Sequence, residues 1–302
     1  MKLLLFGRNG QVGFELQRAL DPLGDVVAVG RAECDLSQPE QIRQLVRTVK
    51  PQIIVNPAGY TDVDRAESET DIAFAVNSVA PGVIGEEAVR LDALVVHYST
   101  DYVFDGLKPG SYSESDLPNP KNVYGRSKLQ GEQMLQQSGV QNLIFRASWI
   151  FGAHGSNFVK TMLKLAASRE ELRVVADQHG APTSAALIAN VTAQVLGQYI
   201  RRGTSAFPCG LYNMAASGDT HRHAFARTII EYALAAGHHL RLNPDAIVPI
   251  TSAEHTAAAE RPANSRLDTT KLRETFGLYL PDWRVGLRHT LNQIPLNRFT
   301  HA

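Results

Sequence analysis

The residues with the clearest chemistry are a tyrosine and a lysine, Tyr124 and Lys128, which lie four positions apart at the start of an apolar-periodic segment. On a helix this spacing puts both side chains on one face, one turn apart. A phenol normally titrates at about pH 10, and a neighbouring ammonium favours the phenolate, so Lys128 is expected to lower the pKa of Tyr124. The pair suits proton transfer. The spacing alone is weak evidence, because an exposed Tyr–Lys pair on a helix surface has the same pattern.

Hydroxyl and carboxylate groups follow a short apolar run, Leu94 to Tyr98, that predicts a buried strand. Ser99, Thr100 and Asp101 come next, and open α/β sheets bind ligands beyond the carboxyl ends of their strands. The hydroxyl of Thr100 or Ser99 is therefore expected to share a proton with the tyrosine or to hold a carbonyl oxygen.

The segment between these groups and the Tyr–Lys pair, Asp105 to Asn122, is rich in proline and glycine and predicts a loop. Long loops in compact domains are usually functional or disordered. This one is expected to lie over the strand ends, either as a lid or as a simple connection.

A glycine-rich turn opens the chain. Leu3 to Phe6 predicts a strand, Gly7 to Gly13 has the spacing G-x-x-G-x-x-G, and Gln11 to Leu20 predicts a helix. Glycine permits close approach of a backbone to a pyrophosphate at a helix N-terminus. The order of strand, glycine turn and helix favours a dinucleotide site over an ordinary turn.

The second predicted strand, Val26 to Val29, ends at Gly30-Arg31. An acidic residue at this point suits NAD, whereas an arginine suits a 2′-phosphate, so NADPH is favoured and NADH is the alternative. A solvated surface arginine would look the same. Asp35 is expected near the adenine, and Ser37 is expected to cap a helix over 39–49.

Small residues after the third predicted strand, Ile53 to Val55, leave room for a cofactor. The acidic residues that follow alternate with Arg65, which favours a solvated helix face over a cation site. Asn77 is expected either to tie loops together or to cap a helix. The acidic residues are Asp62, Asp64, Glu67 and Glu69.

The second half predicts a strand over Gln141 to Arg146, which leads to Trp149, and helices over 157–167, 185–199 and 221–236. Trp149 is expected to wall a sugar pocket or to pack in the core. His221 and His223 would face opposite ways on a helix, which argues against zinc. Arginines beside the turn at Arg261 suit either a diphosphate or a surface loop.

Composition excludes several classes of function. The 302 residues carry a net charge of zero, which argues against a strongly basic nucleic-acid surface. No apolar run approaches the roughly 18 residues that suggest a membrane span, and the apolar start is too short for a signal peptide. The two cysteines, Cys34 and Cys209, form no framework, so reduced thiols and a cytoplasmic location are expected.

Alternating strands and helices predict an α/β fold with a doubly wound parallel sheet of the Rossmann type. Residues 1–150 are expected to form the NAD(P)-binding domain, to which later segments can return. Residues 151–302 are expected to form mainly a smaller, mixed α/β substrate lobe, with the site in the cleft between the two.

These motifs together resemble the extended short-chain dehydrogenases/reductases that act on nucleotide sugars. The likeness covers nearly the whole chain and is strongest to members that make dTDP-L-rhamnose. It rests on Gly7 with Gly10-Gln11-Val12-Gly13, His97-Tyr98-Ser99-Thr100-Asp101-Tyr102-Val103-Phe104, Asn122-Val123-Tyr124-Gly125, Phe145 to Trp149, Gly180 to Thr183, Arg261-Pro262 and Asn264-Ser265.

The resemblance implies reduction of the C4 ketone of dTDP-4-dehydro-L-rhamnose to dTDP-L-rhamnose. Tyr124 would protonate the C4 oxygen, Lys128 would lower the tyrosine's pKa and bind the nicotinamide ribose, and Thr100 would hydrogen-bond the reacting oxygen. The implied substrate contacts are Thr100, Asp101, Tyr124, Trp149, Arg261 and Asn264. The implied cofactor contacts are Gly7, Asn9, Gly10, Gln11, Val12, Gly13, Arg31, Asp35, Leu36, Ala58, Gly59, Tyr60, Thr61, Tyr124 and Lys128.

One departure from the family concerns assembly. Some members form dimers bridged by a metal that glutamates hold, and Glu15 matches one such position. The other positions carry Ala186 and Gln293. The chain is therefore expected to bind no metal and to be a monomer or a weak homodimer.

Two other functions remain open at this point. A nucleotide-sugar epimerase or dehydratase would need tightly held NAD, and dehydratases need further acid–base groups, whereas the residue after Thr100-Asp101 is a tyrosine. A non-catalytic NADP-binding regulatory subunit would not need both Tyr124 and Lys128.

Overall fold

Strand and helix alternate through the first half of the chain, as the sequence pattern predicts. The computed structural model describes residues 1–203 and 207–296. The elements of the first half are β1 (Lys2–Leu5), α1 (Gln11–Leu20), β2 (Asp25–Ala28), α2 (Pro39–Val49), β3 (Ile53–Asn56), α3 (Val63–Ala66), α4 (Thr70–Phe74), α5 (Ala80–Val89), β4 (Leu94–Thr100), α6 (Val123–Gln137) and β5 (Asn142–Ala147).

Shorter strands and longer helices make up the second half. Its elements are β6 (Ile150–Phe151), α7 (Phe158–Ser168), β7 (Leu172–Val175), β8 (His179–Gly180), β9 (Thr183–Ser184), α8 (Ala185–Arg202), β10 (Gly210–Met214), β11 (Thr220–His221), α9 (Arg222–Ala235), β12 (Ile247–Ile250), α10 (Thr270–Phe276) and α11 (Trp283–Gln293). The surface connection expected over 203–208 lies partly outside the described residues.

The central sheet has six parallel strands in the order β10-β5-β4-β3-β1-β2. The chain moves outward from β1 to β2 and then crosses to the other side of β1 with β3. A crevice opens where the strand order reverses, beyond the carboxyl ends of β1 and β3. The predicted parallel α/β sheet is confirmed.

Alternation along β1 builds a helical layer on each face of the sheet. Leu3 and Leu5 pack with α1 and α8, while Leu4 and Phe6 pack with α2 and α5. All four side chains are almost fully buried. Because both faces are covered, the strand reads as a continuous apolar run rather than an alternating one.

A second apolar core holds α7, α9 and α11 together beside the parallel pair β7 and β12. Phe225 lies at its centre, with its ring near those of Phe158 and Trp283. Not all of the second half belongs to this lobe. Strand β10 pairs with β5 in the central sheet, and α8 packs on α1.

Local predictions differ from the structure in small ways. Helix α2 starts after Gln38, not after a Ser37 cap, because the Ser37 hydroxyl donates to the Asp35 carboxylate at 2.8 Å. Strand β4 runs on to Thr100, since its pairing with β5 continues to Ala147.

A continuous helix from Thr70 to Val89, in which a π-helical stretch (Ala75–Val79) joins α4 to α5, is long and apolar enough to cross a membrane. It is not an uninterrupted apolar run, because Asp71, Glu86 and Glu87 lie within it. Of the most apolar 18-residue stretch of this helix, 61% is buried inside the protein. Its apolarity is explained by packing on the sheet, since Ile84 and Ala88 belong to the core of that face.

Candidate active site

The start of α6 lies against the segment that follows β4, and this brings the Tyr–Lys pair to the carboxyl edge of the sheet. Asn122 caps the helix by accepting a hydrogen bond from the Gly125 N–H at 2.7 Å. A Cβ on Gly125 would lie 2.2 Å from the Tyr102 carbonyl oxygen, so only glycine permits this approach. The distance between Thr100 and Tyr124 is set by that contact.

Asn77 ties the cofactor side of the cleft to α6. Its Oδ1 accepts from the Tyr60 N–H at 2.8 Å, and its Nδ2 donates to the Tyr60 carbonyl and the Ser127 hydroxyl, each at 3.0 Å. A Cβ on Gly131 would lie 2.0 Å from the Asn77 carbonyl oxygen. The structure thus confirms the loop-tying role of Asn77, within a π-helical stretch of the kind often found at functional sites.

The Lys128 ammonium is held from the sheet side. Its Nζ donates to the Tyr98 carbonyl at 2.5 Å and lies 3.4 Å from the Nε2 of His97. Burial lowers the pKa of Lys128 to about 8, and the nearby Glu132 carboxylate opposes that shift. Glu132 itself forms a buried, two-pronged ion pair with Arg146, at 2.9 and 2.7 Å.

Tyr124 is half-buried at the floor of the cleft. Burial raises the pKa of its phenol, a hydrogen bond with Thr100 lowers it, and the neighbouring Asp101 and Tyr102 raise it further. The expected lowering of this pKa by Lys128 is not what the structure gives, because the lysine is turned towards Tyr98 and His97. In this state Tyr124 is a protonated phenol, which is the form that can donate a proton.

Thr100, rather than Ser99, is the hydroxyl that reaches the tyrosine, since successive side chains on a strand point to opposite faces. Its hydroxyl donates to the Asp101 carboxylate at 2.9 Å and accepts from the Tyr102 N–H at 3.2 Å. Ser148 donates to the other oxygen of Asp101 at 3.0 Å. Burial raises the pKa of Asp101 to about 6, although these hydrogen bonds oppose the shift.

The glycine turn forms a cradle for a dinucleotide. Gly7 has φ +67°, and a Cβ there would lie 2.8 Å from the Cβ of Ala58. A Cβ on Gly13 would lie 2.0 Å from the Gly7 carbonyl oxygen. No side chain caps α1 at Gly10, so its first N–H groups have no side-chain partner there. These features fit a pyrophosphate at the helix N-terminus.

Beside this turn lies a cavity of about 160 Å³ that suits an adenine and its ribose. Arg31 lines it and forms an ion pair with Asp35 at 3.2 Å. Asn9 and Thr61 are exposed at the rim, whereas the Val12 side chain is buried in the core and leaves only its backbone for a ligand. The predicted residues that line the cavity are Gly7, Arg31, Asp35, Leu36, Ala58, Gly59 and Tyr60.

A larger cavity, of about 530 Å³, lies between Tyr102 and the second lobe. Trp149 walls it in a left-handed backbone conformation, φ +46°, that non-glycine residues rarely adopt. The Arg222 guanidinium lies 3.7 Å from the centre of the Trp149 ring. On Gly180 a Cβ would lie 2.5 Å from the same ring, which fixes the indole in place.

Two arginines lie near Tyr102 in this cavity. Burial raises the pKa of the Tyr102 phenol, and the positive charges of Arg222 and Arg261 oppose that shift. Arg261 also pairs with Asp64 at 2.6 Å, and this bond holds the pKa of Asp64 below its usual value. The sequence did not indicate a role for Arg222, and it suggested that Asp64 lies on a solvated face. Arg222 is far from Trp149 in the sequence, and Asp64 is far from Arg261.

Comparison with known proteins decides the family. The model of the family described as "RmlD substrate binding domain" matches residues 1–295. The chain belongs to this family.

Named relatives agree with that assignment. The chain is 48% identical over 290 residues to a dTDP-4-dehydrorhamnose reductase from Burkholderia thailandensis, covering 95% of this chain and 97% of that protein. It is 45% identical to the one from Escherichia coli strain K12, covering 97% and 98%. A solved dTDP-4-dehydrorhamnose reductase from Bacillus anthracis, in complex with NADP, has a TM-score of 0.86 at 35% identity and covers 96% of this chain and 98% of that one.

More distant structures share only the fold. A dTDP-glucose 4,6-dehydratase from Streptomyces venezuelae has a TM-score of 0.78 at 17% identity, with 97% of this chain and 96% of that one covered. The predicted resemblance to dTDP-4-dehydrorhamnose reductases is confirmed by the family match and the named relatives.

Two predicted contacts of this RmlD-family chain have other tasks in the structure. The Asn264 amide donates to the carbonyls of Lys108 and Gly110, at 2.6 and 2.8 Å, and accepts from Arg266, so it anchors a loop. The Gln11 side chain accepts from the Asn157 amide at 2.8 Å and faces the second lobe.

The loop over 105–122 is firmly attached. Tyr112 stacks on Phe104 with ring centres 4.2 Å apart, and its N–H donates to the Arg266 carbonyl at 2.8 Å. Asp105 accepts hydrogen bonds from the Tyr112 hydroxyl and the Asn119 amide. These contacts anchor the loop to Phe104 and to the segment that carries Arg266.

The histidine pair also differs from the prediction. His221 precedes α9 and caps it, so its ring stacks 5.8 Å from that of His223 and does not face the opposite way. Within residues 1–203 and 207–296, no group of three or more His, Cys, Asp or Glu side chains could hold a metal. Glu15, Ala186 and Gln293 line one cavity of about 350 Å³ between α1, α8 and α11.

Proposed function

We propose that this chain reduces the C4 ketone of dTDP-4-dehydro-L-rhamnose and forms dTDP-L-rhamnose, with NADPH as reductant and NADH as the alternative. The observation that carries the proposal is the meeting of Thr100, Tyr124 and Lys128 at the same sheet edge as the glycine turn. Membership of the RmlD family and the activity named for its relatives support the choice of substrate.

The proposed chemistry adds a hydride and a proton to one carbonyl. The glycine turn would hold NADPH, which would supply the hydride to C4. Tyr124 donates its phenolic proton to the C4 oxygen, and the raised pKa of the phenol keeps that proton in place until the carbonyl arrives. The Tyr124 phenolate that remains is reprotonated from solvent.

Thr100 assists by holding the reacting oxygen. Its hydroxyl donates to Asp101 in this structure, so it must turn towards the carbonyl when substrate binds. Asp101 keeps its other hydrogen bond, from Ser148, during that change. In this proposal Asp101 contacts the sugar from the edge of the hydrogen-bonded group formed by Thr100, Asp101 and Ser148.

The substrate's diphosphate is proposed to lie between Arg222 and Arg261, which line the same cavity as Tyr102. Guanidinium groups bind phosphate oxygens through paired, charge-assisted hydrogen bonds. Trp149 would cover the sugar, since its ring is fixed between Arg222 and Gly180. Arg222 is thus added to the substrate contacts that the sequence suggested.

The proposed cofactor contacts follow the cradle. Gly7, Gly10 and Gly13 let the backbone approach the pyrophosphate, with the N–H groups at Gln11 and Val12 and the rim residue Asn9. Arg31 is proposed to meet a 2′-phosphate when it leaves Asp35. The remaining contacts are Asp35, Leu36, Ala58, Gly59, Tyr60 and Thr61, with Tyr124 and Lys128 at the nicotinamide end.

The wider organisation is proposed as follows. Residues 1–150 with β10 and α8 form the cofactor domain, and most of 151–302 forms the substrate lobe. The protein is proposed to act in the cytoplasm as a monomer or a weak homodimer, without a structural metal, a membrane or a nucleic acid as partner.

A direct assay tests the function. The purified chain is mixed with NADPH and dTDP-4-dehydrorhamnose, and the absorbance of the reduced nicotinamide is followed while the sugar product is identified by NMR. We expect one NADPH to be consumed for each dTDP-L-rhamnose formed. An altered sugar without net loss of NADPH would instead indicate an epimerase, and binding of NADPH without any turnover would indicate a regulatory subunit.

A further inference from the structure

His97 is a buried polar residue that the proposed mechanism does not use. It lies on β4, between Asn56 of β3 and Ile144 of β5 in the register of the sheet. Its side chain is 1% exposed and follows the apolar residues Val95 and Val96. An imidazole buried in the centre of a sheet needs hydrogen-bond partners on both nitrogens.

Those partners are Asn56 and the proposed catalytic lysine. The Nε2 of His97 lies 3.4 Å from the Lys128 Nζ, and its Nδ1 lies 3.4 Å from the Asn56 side-chain nitrogen. The Oδ1 of Asn56 has no hydrogen-bond partner among the described residues. Exchanging the oxygen and nitrogen of that amide, which are assigned from hydrogen bonding, lets Oδ1 accept from Nδ1–H.

This arrangement fixes the tautomer and the charge of the imidazole. With its proton on Nδ1, His97 presents the Nε2 lone pair to Lys128. Burial and the lysine's positive charge hold the pKa of His97 well below its usual range, so the ring is neutral. A neutral acceptor can bind an ammonium, whereas a second cation would repel it.

The position of Nζ shows what the contact does. An ammonium has three N–H groups, and the Tyr98 carbonyl and His97 take two of them. The third side faces the cofactor loop, where a Cβ on Gly59 would lie 3.8 Å from Nζ. Gly59 also lines the cavity beside the glycine turn.

We propose that His97 is a positioning residue for the reductase: its Nε2 and the Tyr98 carbonyl hold the Lys128 ammonium so that the third N–H points at the cofactor ribose. The inference rests on the proposed function for its effect on turnover. Its effect on cofactor binding can be measured without turnover.

Removing the acceptor should also change the charge of Lys128. The groups that face the lysine and His97 are Glu132, already paired with Arg146, and the uncharged Asn56, with Tyr124 and Asp101 towards the cleft. None of them replaces the lost acceptor on the sheet side. The ammonium becomes less favourable, so the pKa of Lys128 falls below its present value of about 8.

The test compares three substitutions in the full chain. His97→Leu removes the acceptor, His97→Asn is too short to reach Nζ, and His97→Gln can place an amide oxygen near the Nε2 position. We expect Leu and Asn to lower kcat by about 10- to 100-fold, the value of a hydrogen bond to a charged group. The kcat of His97→Gln should stay within about threefold of the parent value.

Cofactor binding separates this inference from the proposed reaction. The dissociation constant of NADPH is measured by fluorescence over a series of pH values. It should increase as Lys128 loses its proton, and in His97→Leu this increase should begin at a lower pH than in the parent. In Lys128→Met the His97→Leu change should have no further effect. These readouts stand even if the parent chain has no activity on the keto sugar.

Two results would overturn the role of His97. One is a folded His97→Leu protein whose kcat and pH dependence of NADPH binding equal those of the parent. The other is a His97→Gln protein as impaired as His97→Leu, with the pH dependence unchanged in both, which indicates packing alone. If His97→Leu does not fold, the comparison of Asn with Gln decides between the same outcomes.

Discussion

The two sides of the cleft are built in opposite ways. On the catalytic side, α6 meets β4 through glycine contacts and buried hydrogen bonds, and the ionisable groups Lys128 and Asp101 have pKa values shifted by burial. On the substrate side, Arg222 and Arg261 reach into an open cavity and are held by an aromatic ring and one partly exposed carboxylate. The first arrangement suits proton transfer at a fixed distance, and the second suits an anion that must enter and leave.

The contrast predicts that mutations on the two sides affect different kinetic constants. Changes on the catalytic side should lower kcat, because they leave the proposed diphosphate contacts of the substrate in place. Changes on the substrate side should raise KM, because they weaken the binding of the diphosphate before and during the reaction.

The largest effect is expected for Tyr124→Phe. Removing the phenolic proton that is proposed to reach the C4 oxygen should lower kcat by about 100- to 10,000-fold, the usual value of general acid catalysis. NADPH binding should change little, since the glycine turn is untouched. Steady-state kinetics and a cofactor titration check both parts. Tyr279→Phe, at a side chain that is 85% exposed, is the matched control. Near-normal turnover in Tyr124→Phe would remove the tyrosine from the mechanism.

Arg222→Ala tests the other side. Loss of one guanidinium from the proposed diphosphate site should raise KM for the dTDP-sugar by about 10- to 100-fold, with a smaller change in kcat. Arg222→Lys keeps the charge but loses the paired hydrogen bonds and the stacking on Trp149, so it should recover only part of the affinity. Arg169→Ala, at an exposed residue after α7, is the control. An unchanged KM in Arg222→Ala would place the diphosphate elsewhere.

The smallest expected effect is a difference in pH dependence. Lys128 carries its proton below about pH 8 and loses it above, so kcat should fall about twofold from the neutral plateau to that pH and about tenfold by one unit higher. KM for the dTDP-sugar should stay constant over the same range, because guanidinium groups remain charged. Rate measurements over a pH series check this. A KM that rises together with the loss of kcat would show that one titrating group serves both sides.

Local sequence patterns were sufficient to predict where the Tyr–Lys pair and the glycine turn lie in the fold. The Tyr124–Lys128 spacing, the glycine turn and the strand before Thr100 are each set by residues close together in the sequence. Their convergence follows from the general rule that parallel strands present their carboxyl ends at one edge.

The substrate side depends on long-range contacts that no local pattern encodes. Arg222 meets Trp149, and Arg261 meets Asp64, across long stretches of chain. The same holds for His97, which reads as one polar residue in a strand until α6 places Lys128 beside it. One feature of the sequence could have indicated a role for His97: it is an isolated histidine in an apolar strand, close before Thr100. Asn264 shows the opposite case. The sequence suggested a substrate contact close to Arg261, but in the structure Asn264 anchors a loop through the carbonyls of Lys108 and Gly110.

The most direct test of the central claim follows one hydrogen atom. The chain is supplied with NADPH that carries deuterium at both C4 positions of the nicotinamide, together with dTDP-4-dehydrorhamnose, and the product is examined by NMR and mass spectrometry. The account predicts dTDP-L-rhamnose with a single deuterium at C4 of the sugar, formed by the parent and lost in Tyr124→Phe. A product without deuterium at C4, or equal transfer in Tyr124→Phe, would contradict it.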